Sequence, residues 1–165
     1  MLALPALSLP PAQALTRPSE RRLSFHHTHT DERLSLVYHD GRRYLPESLR
    51  RIDRFLRDFR TEEIHPIDPR LLDILYTVTL STGARGRFEV ISGYRSPKTN
   101  AMLRTKSSGV AKHSLHMQGK AIDVRLSDVD CGALRKCAVS LKQGGVGYYP
   151  RSNFVHLDTG RYRTW

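Results

Sequence analysis

The chain predicts an α+β fold, with helices packed on one mainly antiparallel sheet. Three observations carry this. Alternating apolar and polar stretches come in adjacent pairs near both ends, the pattern of β-hairpins. Between them lie segments whose apolar residues recur at a helical period. The resulting order is two strands, two helices, then strand, helix, strand, helix and a closing hairpin, which favours antiparallel pairing. At 165 residues, this is one domain with a modest core.

The elements follow in order. Met1 to Ala14 carries no charge and ends in Ala12-Gln13-Ala14, a small-x-small cleavage site after an apolar stretch. Residues 1–14 are expected to be an export signal whose basic n-region lies upstream of Met1; a Pro/Ala/Leu arm without structure is the alternative. Residues 15–21 read as a linker and 22–165 as the folded domain. Arg22 to His26 and Leu34 to Tyr38 alternate and are joined by polar Thr28 to Glu32, so a hairpin is expected, with a turn at His39-Asp40-Gly41. His26, His27 and His29 fall at a strand edge and turn, where histidines are mostly solvated. No second metal site is expected there.

From Pro46 the period becomes helical: Leu49, Ile52, Phe55, Leu56 and Phe59 share a face, and Pro46 suits the first helical position. A second helix is capped by Asp68, starts at Pro69 and stops near Gly83. Arg87 to Ile91 reads as a buried strand and Pro97 to Leu103 as a short helix. Residues 104–113, rich in Ser, Lys and Gly, make a loop. Lys120 to Leu126 is a strand and Ala133 to Lys142 a helix stopped by Gly144-Gly145. A hairpin closes the chain: Val146 to Tyr149, a turn at Pro150-Arg151-Ser152, then Phe154 to Asp158. Cys131 and Cys137 stand six residues apart; on one helix that is ~9 Å at the standard rise, too far for a disulfide, so they could pair only if Cys131 lies before the helix begins. Free thiols are expected.

The formal net charge is +11 and the pI about 10.2. Such a surface accumulates on polyanions: nucleic acid, anionic lipid or anionic cell-wall polymer. The basic residues are scattered and form no recognisable nucleic-acid-binding motif, so a nucleic-acid partner is not expected. No later segment reaches the ~20 apolar residues of a membrane-spanning helix.

The chemistry concentrates in Ser114-Leu115-His116-Met117-Gln118-Gly119-Lys120-Ala121-Ile122-Asp123 and in Asn153-Phe154-Val155-His156-Leu157-Asp158. Alternate residues of a strand share a face. If the two strands are neighbours, Asp123 and His156 meet on one face, and His116 enters from the preceding loop. Gly119 permits the tight turn between that loop and the strand. Two imidazoles and one carboxylate make a three-ligand set for Zn²⁺ with one position left for water, which is the pattern of a hydrolytic site.

The Ser-x-His-x-x-Gly-x-Ala-x-Asp pattern with a later strand His resembles the peptidase superfamily of lysostaphin, the D-Ala-D-Ala metallopeptidases and the hedgehog zinc domain. Ser92-Gly93-Tyr94-Arg95-Ser96-Pro97-Lys98-Thr99-Asn100, Gly144 to Arg161 and Trp165 are similar to the murein endopeptidase K family of Gram-negative bacteria. The resemblance runs from about Ser24 to Trp165. It implies a periplasmic zinc endopeptidase acting on peptidoglycan peptide stems and cross-links, with one Zn²⁺ on His116, Asp123 and His156. It also implies a substrate or transition-state contact for Arg95.

In many superfamily members an acidic general base stands three residues before the last zinc His. That position here is Asn153, which accepts no proton usefully. His113 and Asp158 are candidates for the base; Asp158 is also a candidate to orient His156 from behind. Tyr148 and Tyr149 are candidates to stabilise an oxyanion, and Ser114 to contact substrate. The missing acid also leaves open a zinc-containing module that binds peptidoglycan without cleaving it. Whether D-Ala–diaminopimelate or diaminopimelate–diaminopimelate links are cut is not legible in the residues.

Overall fold

A computed structural model of the chain describes residues 19–106 and 109–165. The expected signal and most of the expected linker lie outside these residues. Within them seven strands form one sheet: β1 (Arg21–His27), β2 (Arg33–His39), β3 (Phe88–Ser92), β4 (Ala121–Leu126), β5 (Gly145–Tyr149), β6 (Phe154–Asp158) and β7 (Arg163–Thr164). Their order across the sheet is β2-β1-β3-β4-β6-β5-β7. Pairing is antiparallel except at β1–β3 and β5–β7. The fold is α+β, as the order of elements predicts.

Among the described residues four helices accompany the sheet: α1 (Pro46–Phe55), α2 (Pro69–Thr82), α3 (Pro97–Lys106) and α4 (Cys131–Leu141). Two begin as the sequence indicates. Pro46 and Pro69 occupy first-turn positions, where a missing N–H costs nothing. Asp68 caps α2 by accepting the Arg70 N–H, and Gly83 ends it in the left-handed conformation. The core forms where Leu71, Leu72, Leu75 and Val78 of α2 and Leu134 and Ala138 of α4 meet the apolar face of the sheet. That face presents Phe25, Phe88, Val90, Ile122, Val124, Val155 and Leu157, all buried.

The structure corrects several boundaries. α1 stops at Phe55 rather than running on to Phe59, because the buried Asp58 carboxylate takes the N–H groups of Arg60 and Ser96 and holds an irregular turn there. α4 begins at Cys131, two residues early, since Asp130 is its cap and accepts from Gly132 and Ala133. α3 extends to Lys106, beyond Leu103. β7 is not anticipated: two residues carry no readable period. Both cysteines are free.

The histidines of β1 correct the reading further. β1 lies inside the sheet, not at its edge. His27 is only 1% exposed, with its ring edge-on to Phe55 and Phe59. Its Nδ1 accepts the His29 N–H while Nε2 has no partner. Burial, reinforced by His29, pushes its pKa down to about 4. Below the unfolded value of 6.5 the unfolded chain takes up a proton that the folded chain refuses until about pH 4. The His27 contribution to stability is therefore full above pH 6.5 and falls by about 3 kcal/mol as pH drops through that window. Urea melts at both ends of the window should show this loss in the wild type and a shallower slope in His27→Phe. Equal slopes would remove His27 as the cause.

Candidate metal centre

The site grows out of strand register. Ile122 and Val124 of β4 and Val155 and Leu157 of β6 face the core, so the residues alternating with them face the other side. On that side Asp123 stands directly opposite His156, Ser92 of β3 opposite Asp123, and Gly147 of β5 opposite His156. Four strands thus align Ser92, Asp123, His156 and Gly147 in one row. The open face of a sheet would leave such groups in water. Here a loop covers them.

That loop ends in a 3₁₀ turn, Leu115–Gln118, which delivers His116. Ser114 caps it, its Oγ accepting the His116 N–H at 3.3 Å. Gly119 closes the turn at φ +63°, and a Cβ there would lie 2.1 Å from the Pro66 carbonyl oxygen, so only glycine fits. The turn is pinned to β3's exit by the Arg95 N–H, which donates to the His116 carbonyl.

One ligand atom from each of His116, Asp123 and His156 lies within 4.8 Å of the other two. Asp123 Oδ1 is 3.3 Å from His116 Nε2 and 2.9 Å from His156 Nδ1, and these two nitrogens are 3.2 Å apart. The opposite ring nitrogens are committed elsewhere: His116 Nδ1 to the Gly93 carbonyl at 2.8 Å, His156 Nε2 to Asp158 Oδ2 at 3.0 Å. Each acceptor engages the outward nitrogen and leaves the inward one to the cluster, the usual support of a metal-binding imidazole. All three side chains are buried. The donor set and its orientation fit a divalent cation such as zinc.

Electrostatics agree with that fit. Burial alone would raise the Asp123 carboxyl, but His116 and His156 hold it well below the ordinary carboxylate range. Burial would likewise lower His156, yet hydrogen bonds to Asp123 and Asp158 raise it to about 9. Asp158 is held well below its usual range, against its burial, by His156, Arg163 and the Gly160 N–H. Two carboxylates on either side of one imidazole thus favour positive charge at His156.

The centre opens into a cleft of about 520 Å³. Arg95, His113, Ser114 and Tyr149, all expected from the sequence as candidate site residues, line it. The Arg95 guanidinium is largely buried yet poorly paired: Asp123 Oδ2 is 3.7 Å away, Ser92 Oγ and Asn100 Oδ1 3.5 Å, and its Nε has no partner. Burial lowers its pKa from the ordinary value, partly opposed by Asp123. A desolvated cation without a close anion is disposed to receive one.

Two candidates lie elsewhere. Tyr148 points to the core side of β5, under the Arg135 guanidinium at 5.6 Å, because β5 alternates and its neighbour Tyr149 takes the cleft side. Asp158 is buried behind His156, on the nitrogen facing away from the cluster, and does not line the cleft. Asn153, in the position of the expected acid, has φ 52° and closes the turn before β6, a left-handed position that asparagine tolerates. Among the described residues, the lining contains no carboxylate besides Asp123.

The sequence reading missed Arg163 and the placement of Trp165. The Trp165 ring lies 5.3 Å from His156 and donates its Nε1–H to the Tyr149 hydroxyl at 2.9 Å. A Cβ on Gly147 would come within 2.6 Å of this ring, so the glycine opposite His156 is the seat of the tryptophan. The β5–β6 register pairs Gly147 with His156 and would have exposed that seat; nothing local announces β7.

A family model described as Peptidoglycan L,D-endopeptidase MepK matches residues 16–165. The chain is 46% identical over 166 residues to Peptidoglycan L,D-endopeptidase MepK of Escherichia coli (strain K12), covering 99% of this chain and 91% of that protein. It shows the same identity and coverage to the protein of that name from Shigella flexneri. To the Probable peptidoglycan L,D-endopeptidase MepK of Haemophilus influenzae (strain ATCC 51907 / DSM 11121 / KW20 / Rd) it is 45% identical over 152 residues, covering 92% of this chain and 82% of that protein. A match that spans the whole described structure, with identities of this size, places the chain in the peptidoglycan L,D-endopeptidase MepK family.

Proposed function

We propose that this chain is an exported, zinc-dependent endopeptidase that hydrolyses L,D amide bonds in peptidoglycan cross-links. The observation that carries the reading is the row joining Asp123 to His156 beneath His116, with both outward nitrogens already occupied, at the floor of a cleft beside Arg95. The L,D specificity comes from the relatives' names. Of the two linkages considered from the sequence, diaminopimelate–diaminopimelate joins an L-centre carbonyl to a D-centre amine, whereas D-Ala–diaminopimelate is a D,D bond.

Zinc on His116, Asp123 and His156 supplies Lewis acidity that polarises an amide carbonyl and brings the pKa of water to about 7. The protein supplies position and charge. Arg95 meets the oxyanion or a stem carboxylate with a planar fork already stripped of water. The Tyr149 hydroxyl accepts from Trp165, which leaves its own proton free to donate into the cleft. Asp158 is saturated and Asn153 is no base. His113, exposed at the cleft wall, is the remaining lining residue suited to move a proton. The net charge of +11 keeps the protein on an anionic envelope. Among the described residues no helix is long and apolar enough to cross a membrane.

Purified murein rich in both linkage types tests the reading. Zinc-loaded protein should convert diaminopimelate-linked dimers to monomers, leave D-Ala-linked dimers, and stop on addition of a chelator. Binding to murein with no product by mass spectrometry would establish the binding-module alternative instead. His113→Gln should lower turnover about 10²-fold with zinc retained. Unchanged turnover would make His113 an ordinary wall residue.

A further inference from the structure

We infer that Arg163 is a positioning residue for the metal centre, acting through Asp158 on His156. The inference rests on the reading that His116, Asp123 and His156 hold zinc. Arg163 grips Asp158 with both terminal nitrogens, Nη2 to Oδ2 at 2.7 Å and Nη1 to Oδ1 at 3.1 Å. Asp158 Oδ2 in turn receives His156 Nε2–H at 3.0 Å, and Oδ1 accepts the N–H groups of Gly145 and Gly160. The carboxylate is completely enclosed, so nothing but these five donors decides its orientation.

A fork gripping both oxygens fixes the plane of a carboxylate, which a single donor does not. That plane sets the direction of the Oδ2 lone pair, and so the tilt of the His156 ring and the aim of Nδ1 at Asp123. The local sequence is arranged around this grip. At Gly145 a Cβ would lie 2.4 Å from Asp158 Oδ2 and 2.5 Å from Arg163 Nη1. The guanidinium is itself held in place, 4.9 Å from the Trp165 ring centre, on the strand β7 that pairs with β5. This gives the terminal strand a role: it carries the far end of a chain running Arg163–Asp158–His156.

A positioning role differs from mere anchoring of β7 in what it does to the metal. Zinc affinity is measured by competition with a chromogenic chelator for the wild type, Arg163→Met, Arg163→Lys, Asp158→Asn and the double variant Arg163→Met/Asp158→Asn. Cobalt-substituted visible spectra and thermal melts of the metal-free proteins are taken alongside. Arg163→Met should weaken zinc binding about 10-fold, the low end for an outer support, and shift the cobalt bands. Arg163→Lys should recover part of the affinity, since it keeps the charge but loses the fork. The double variant should bind no more weakly than Asp158→Asn alone, because both changes cut one chain.

Wild-type affinity and an unshifted spectrum in Arg163→Met would overturn the inference. So would additive losses in the double variant, or losses that follow the melting temperature of the metal-free proteins. If Arg163→Met does not fold, Arg163→Lys decides by the same measures. A wild-type protein that binds no zinc would overturn the metal reading itself, an outcome distinct from a zinc-binding wild type matched by its Arg163 variants.

Discussion

Removing either imidazole, by His116→Ala or His156→Ala, is expected to abolish stoichiometric zinc binding and with it cross-link cleavage. A three-ligand set has no spare donor, so the loss should exceed the roughly 10–100-fold typical of a supporting residue. The two variants differ in their secondary effects. His116 sits in a loop turn and takes the Gly93 carbonyl, so its loss frees one buried acceptor. His156 stands mid-sheet between two buried carboxylates, and its removal leaves Asp123 and Asp158 without their shared partner. His156→Ala should therefore also destabilise the metal-free protein more than His116→Ala does. Metal content by atomic absorption and circular dichroism of the metal-free proteins separate the effects. One zinc per folded chain in either variant would refute the ligand set.

Arg95→Lys should reduce turnover by about 10²–10³-fold while zinc content stays at one per chain. The lysine keeps the positive charge but presents a point ammonium where the guanidinium offers a planar fork. The native geometry supports a large effect. Contacts of 3.5–3.7 Å to Ser92, Asn100 and Asp123 are too long to consume the donors, so they remain for the substrate. Were Arg95 a structural ion-pair partner of Asp123, its replacement would disturb metal affinity and leave turnover per bound zinc unchanged. Measuring kcat on a defined diaminopimelate-linked dimer, normalised to zinc content, distinguishes the two.

Local pattern was enough for most of the elements, because caps, prolines and periods act over a few residues. Pro46, Asp68-Pro69 and Gly83 sit where their backbone preferences require. The exceptions are places where a distant partner overrides local preference. Asp58 ends α1 by taking the Ser96 N–H from another segment, and His27 enters the core because β3 pairs alongside β1. Neither partner is visible within a window of sequence.

The candidate ligands were legible for a different reason: a three-ligand motif with a strand His needs only that two strands be neighbours, and alternation does the rest. The sequence alone thus names His116, Asp123 and His156 as candidates and gives Asp123 and His156 a common sheet face once their strands pair. What only the tertiary structure decided is everything about direction. Tyr148 and Tyr149 are adjacent and chemically equal in the sequence, yet β5 sends one into the core and the other into the cleft. Asp158 shares a strand face with His156, but it is buried and both its oxygens are taken by five donors. Arg163 and Trp165 reach the centre through a two-residue strand with no period of its own. Their placement depends on pairing with β5 and on the space left by Gly145 and Gly147, and such long-range packing leaves no mark at the spacing of neighbouring residues.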